Sequence, residues 1–149
     1  MASRGKARTN LTRDTFLALL KTAGDLERQV AELLRERDLS VTQYNVLRIL
    51  RGSGDTGATC GQIGERLIKH DPDVTRLLDR LERAALVERT RDPEDRRVVR
   101  TSITRAGLAL LGDLEAPIDE LHRRQMGHMS DEALDSLCRL LGVAASGSG

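Results

Sequence analysis

The chain has 149 residues, 39% apolar and 32% charged, with 24 Lys and Arg against 23 Asp and Glu for a formal net charge of +1. That length fits one domain with one core, and the composition excludes disorder for most of it. No apolar run nears the roughly 18 residues of a membrane helix and no signal pattern opens the chain, so the expected compartment is the cytoplasm.

The first ten residues, MASRGKARTN, carry Arg4, Lys6 and Arg8 without an apolar period and read as a flexible basic arm. From Phe16 to Leu34 apolar residues fall at 16, 19, 20, 23, 26, 30, 33 and 34, one face of a long helix. Ser40-Val41-Thr42-Gln43 spells a capping box, in which hydroxyl and amide satisfy free backbone N–H groups. The helix it opens bears Tyr44, Val46, Leu47 and Leu50 and ends in the turn-forming RGSGDTGAT. Thr59-Cys60-Gly61-Gln62 is a second capping box, ahead of a short helix with Ile63 and Leu67 inward. Asp71-Pro72 predicts the next start, with Asp as N-cap and Pro at the first helical position. Val74, Leu77, Leu78, Leu81 and Ala85 then form an inward stripe, opposite Asp73, Thr75, Arg76, Asp79, Arg80 and Arg83.

After Leu86 the period changes to two. Val87–Arg91 and Val98–Ile103 flank the polar DPEDRR of residues 92–97, which predicts a β-hairpin with a charged tip. Thr104 caps a helix with Leu108, Leu111, Leu114, Ile118 and Leu121 on one seam, and Pro117 is expected to kink or break it near residues 113–117. Ser130 caps a last helix with Leu134, Leu137, Cys138 and Leu141 inward, and residues 146–149, SGSG, read as a flexible tail. Phe16 and Tyr44 are the two aromatics, so the core is aliphatic.

The order helix, short helix, capped helix, hairpin is that of a winged helix-turn-helix. With net charge near zero, any field that attracts a polyanion has to be local. The capped helix offers Thr75, Arg76, Arg80 and Arg83, side chains that fit base edges and phosphates in a major groove. Asp73 at its start fits either a contact to cytosine N4 or a stabiliser of the first turn. The hairpin adds Arg91, Arg96, Arg97 and Arg100, and an arginine-tipped loop suits the minor groove. Asp95 beside them reads as the partner of a salt bridge that positions an arginine. Charge pattern alone leaves the other reading open: a solvated helix face, paired with Asp79, Glu82, Glu88, Asp92 and Glu94, on a winged-helix protein-interaction or scaffold module that does not read DNA.

The residues LSVTQYNVLRIL (39–50), CGQIGERL (60–67), DPDVTRLLDRLERAALVERT (71–90) and DPEDRRVVRTSITRAG (92–107) together resemble the MarR family of bacterial transcription regulators. The resemblance implies a mainly α fold: a winged helix-turn-helix with long N- and C-terminal dimerisation helices and one β-hairpin wing. Its domain would span residues 11–145, with dimerisation helices over about 11–36 and 104–145 and the winged helix-turn-helix over about 40–103. Residues 71–83 would be the recognition helix, with Asp73, Thr75, Arg76 and Arg80 toward the duplex. In the family's Asp-x-Arg wing pattern Asp95 would brace, Arg97 would enter the minor groove and Arg96 would meet a phosphate. Two positions depart from the family: Ala85 stands where Gly is usual, and Pro117 interrupts a helix often continuous.

The implied function is a homodimeric repressor on an inverted-repeat operator, its half-sites roughly 34–36 Å apart, released by a small aromatic effector. The effector site is not assigned by the sequence: Tyr44 could hydrogen-bond an effector, but a half-buried packing tyrosine is the reading it favours. Cys60 invites a redox role, against which stand the absence of a nearby cation and the frequency of small buried cysteines. The sensor cysteine of some relatives lies in the first helix, which has none here. Two cysteines far apart, Cys60 and Cys138, make no disulfide framework or zinc cluster. His70, His122 and His128 lack metal-ligand spacing, and no phosphate loop or catalytic motif occurs. Neither metal, cofactor nor enzymatic activity is expected.

Overall fold

The computed structural model describes residues 2–147, with backbone alone for residues 2–7. Its elements in chain order are α1 (Ala2–Arg35), α2 (Val41–Ser53), β1 (Ala58–Thr59), α3 (Cys60–Arg66), α4 (Val74–Arg83), β2 (Val87–Arg91), β3 (Val99–Ile103), α5 (Arg105–Met126) and α6 (Asp131–Ser146). The strands form one antiparallel sheet in the order β1-β3-β2. The core is aliphatic, with Leu34 of α1, Leu47 and Leu50 of α2, Ile63 of α3, Leu78 of α4 and Leu111 of α5 all but fully buried.

Local signals place most boundaries. Both capping boxes form as spelled: Ser40 and Gln43 exchange bonds at the head of α2, and Thr59 and Gln62 at the head of α3. Thr104 and Ser130 cap α5 and α6. The hairpin pairs Val87 with Ile103 through Arg91 with Val99. Beyond it lies β1, a two-residue strand too short to show a period, whose Ala58 pairs with Thr101.

Four expectations about the course of the backbone need correction. Helix α1 starts at Ala2, so residues 2–10, expected to be a loose arm, form its first turns. Residues 8–10 are exposed, so no buried face imposes an apolar period on them, and no proline interrupts the helix; the Thr12 and Thr15 hydroxyls bond back to the Arg8 and Leu11 carbonyls. Ser146, expected in the flexible tail, is the last residue of α6 and Gly147 its C-cap, while residue 1 and residues 148–149 lie outside the described residues. Helix α4 begins at Val74, two positions after the predicted Pro72, because Asp71 turns the chain by accepting the Asp73 N–H at 2.8 Å. Asp73 then becomes the N-cap. Helix α5 runs unbroken through Pro117. Pro117 and Asp113, whose carbonyl the missing N–H would have met, both face solvent, while Leu114, Ile118 and Leu121 hold the opposite face in the core.

The fourth correction concerns Ala85, expected in the inward stripe of α4. It lies beyond the helix in the left-handed region at φ 57°. Its N–H bonds to the Glu82 carbonyl at 2.9 Å, and Leu86 N–H to the Leu81 carbonyl at 3.0 Å, the paired bonds of a Schellman ending. Glycine adopts that conformation without a Cβ penalty, so Ala85→Gly is expected to raise stability by about 1 kcal/mol, or about 2–4 °C in a thermal melt. An unchanged or lower melting temperature would refute the strain.

Several apolar side chains remain uncovered among the described residues. On α1, Leu11, Phe16, Leu17 and Leu20 are more than half exposed. Leu108 of α5, expected on its inward seam, is 45% exposed. Helix α6, expected to bury its stripe, buries no residue: Leu134 and Leu137 are half-buried, and Cys138, Leu140, Leu141 and Val143 are exposed. Among the described residues no helix is long and apolar enough to cross a membrane.

Candidate nucleic-acid interface

Helix α4 is fixed from below and free above. Leu77, Leu78 and Leu81 are buried, whereas Thr75, Arg76, Arg80 and Arg83 are exposed. At its head the Asp73 carboxylate accepts the Arg76 N–H at 3.0 Å. Of the two roles open to Asp73, the structure uses it in the first turn. The segment before it is tied down twice: Asn45 Oδ1 accepts the Ile68 N–H at 2.9 Å, and Lys69 Nζ lies 2.8 Å from Glu27 Oε1 on α1. Arg76 and Arg80, one turn apart, line a shallow cleft of about 210 Å³ with Asp71, Asp73 and Leu77. Among the described residues neither guanidinium has a hydrogen-bond or ion-pair partner, and the same is true of Arg83 and Arg96.

The wing is braced by its own carboxylates. Asp92 accepts the Glu94 and Asp95 N–H groups at 2.9 and 3.3 Å through one oxygen and Arg100 Nε at 2.7 Å through the other. The Arg100 bond holds the Asp92 carboxyl below its ordinary range. Asp95 takes both Arg97 Nε, at 3.1 Å, and an Arg97 terminal nitrogen, at 3.3 Å, and this pairing lowers its carboxyl likewise. Arg97 nonetheless keeps 91% of its side chain exposed. Arg91 donates to the Arg96 carbonyl at 2.8 Å, closing the loop. The result is a stiff hairpin tip that presents Arg96 and Arg97.

Arg89, which sequence reasoning left unassigned, bridges the two parts. Strand alternation puts it in phase with the buried Val87, and it bonds Asp79 and Glu82 on α4. An arginine at an inward strand position was the signal available.

The remaining candidates separate from this surface. Tyr44 is half-buried against the core with the Arg48 guanidinium 5.9 Å above its ring, the packing reading of that residue. Cys60 is exposed, not buried as its size suggested, with its sulfur 3.7 Å from Thr75 Oγ1. His122 Nδ1 meets Gln125 Oε1 at 3.2 Å. A cleft of about 750 Å³ opens between α1 and α5, with Leu33, Pro117 and Leu121 in its wall and Arg35 and Arg124 at its edge.

A family model described as "MarR family" matches residues 39–99. The chain is 43% identical to a MarR transcription factor from Planctomyces limnophilus of known structure, covering 89% of this chain and 96% of that one with a TM-score of 0.70. It is 33% identical over 108 residues to the uncharacterized helix-turn-helix transcriptional regulator YkoM of Bacillus subtilis, covering 72% of this chain and 68% of the relative. In fold it resembles MepR of S. aureus, solved in complex with DNA: TM-score 0.78 at 23% identity, covering 89% of this chain and 96% of that one.

Proposed function

The chain belongs to the MarR family of transcription regulators, and from that premise we propose that it binds double-stranded DNA as a homodimer and represses transcription. The observation that carries the reading is α4 itself. One face is committed to the core, and the other holds Arg76 and Arg80 exposed, and unpaired among the described residues, beside an arginine-tipped, carboxylate-braced hairpin. Arg76 and Arg80 suit base edges in a major groove, Arg83 and Arg96 suit phosphates, and Arg97 suits a narrow minor groove. Thr75 at the first turn of α4 would meet a phosphate or a base.

The unpartnered apolar faces of α1 and α6 supply the dimer contact. Twofold pairing places two recognition helices about one helical turn of DNA apart, so the operator is an inverted repeat. A small aromatic compound is the effector class that suits the α1–α5 cleft, where Leu33, Pro117 and Leu121 offer a surface for a ring and Gln29, Glu32, Arg35, Glu36 and Arg124 offer polar groups of both signs. BpsR of Bordetella bronchiseptica has its DNA binding regulated by such a compound, 6-hydroxynicotinic acid. Its place of action is the cytoplasm, where the chromosome lies, and its work is binding rather than catalysis.

Selection of duplexes from a random pool tests this directly. The expected product is a twofold-symmetric sequence, bound with an affinity that falls linearly on a log–log plot against salt, by about −0.9 per phosphate contact. Failure to enrich any duplex, or a flat salt dependence, would overturn the proposal.

A further inference from the structure

Helix α4 and strand β2 are joined covalently only by the turn Ala84–Leu86. The wing beyond β2 is stiff, so its aim depends on what holds the base of the hairpin against the helix. Arg89 lies at that base. Its Nε and a terminal nitrogen reach Glu82 Oε2 at 3.0 and 2.5 Å, and the terminal nitrogen also lies 2.5 Å from Asp79 Oδ1. Asp79 and Glu82 are three residues apart and so neighbours on one face of α4. The Arg89 side chain is 24% exposed, less than the other paired arginines, so water screens this tie less than a surface bridge. Its bond to Glu82 holds that carboxyl below the ordinary glutamate range. On its other side Arg89 is paired in register with Thr101, which is buried and central in the sheet.

We propose that Arg89 is a positioning residue for DNA binding: shared between Asp79 and Glu82, it fixes the angle between the recognition helix and the wing so that both engage one duplex at once. The inference rests on the DNA-binding reading above. Two contact sites held at a fixed angle behave as one preorganised surface, and the second engages at high effective concentration. If the angle is released, the wing arginine has to be ordered anew at each encounter, and its contribution fades although Arg97 is intact.

Coupling between Arg89 and Arg97 therefore decides the matter, measured on the selected duplex with Arg97→Ala, Arg89→Met and the double variant. In the otherwise native protein Arg97→Ala should weaken binding about tenfold. With Arg89→Met already present, the same change should cost less than about twofold. Equal losses in both backgrounds would reduce Arg89 to a support of the fold and overturn the proposal. Asp79→Leu with Glu82→Met removes both acceptors at similar side-chain size and should abolish the coupling in the same way; if Arg89→Met does not fold by circular dichroism, the coupling is measured in this pair alone. A native protein that binds no duplex would instead overturn the DNA-binding reading, and the proposal with it.

Discussion

Replacing Arg76 with Ala is expected to weaken binding to the selected duplex by about tenfold or more, in line with the roughly 1–3 kcal/mol of a bidentate base contact, and to relax preference at one base pair. The protein itself should not notice. The Arg76 guanidinium has no partner among the described residues, and its contribution to the helix is the backbone N–H that Asp73 accepts, which Ala keeps. Ala is also the better helix former. The loss therefore reads the contact to DNA and little else. Binding to a panel of single-base variants checks it: a loss equal on every sequence would place Arg76 on a phosphate, and no loss would remove it from the reading face.

The second large effect lies far from α4. Leu20 and Leu140 are 60% and 57% exposed within the chain, so changing both to Glu should cost the folded subunit little. In a dimer that covers them, the same change buries two charges without partners. The double variant is expected to sediment as a monomer and to bind the full inverted repeat about 100-fold more weakly, because the second half-site is no longer engaged at high effective concentration. Affinity for an isolated half-site should stay as it was. A variant that remains dimeric would show that other surfaces join the subunits.

The recognition helix and the wing were legible in the sequence because their signals are local. The Leu77-Leu78-Leu81 stripe, both capping boxes and the alternation around residues 92–97 each rest on bonds or faces closed within three or four residues. The Asp95–Arg97 brace was legible for the same reason, two residues apart. The Arg89 clamp was not. Its inward phase with Val87 marked it as no ordinary solvated arginine, but its partners lie seven and ten residues away on another element, and the sequence did not say which carboxylates they are.

Sequence by itself thus determined most of the helix and strand segments (not the first turns of α1 or the short β1), where most of them are capped, and that arginines gather on one helix and one hairpin. Tertiary structure decided what those segments do with competing options. Asp71, read as the cap of α4, is spent on the preceding turn, and Asp73, read as a first-turn stabiliser or a base contact, caps the helix instead. Pro117 is tolerated because buried leucines and Ile118 hold the other face of α5. Ala85 is forced left-handed because Leu86 has to return to Leu81. For Pro117 and Ala85 the physical reason is common: backbone preferences are worth about 1–3 kcal/mol at a single residue, and packing several leucines into one core outweighs them.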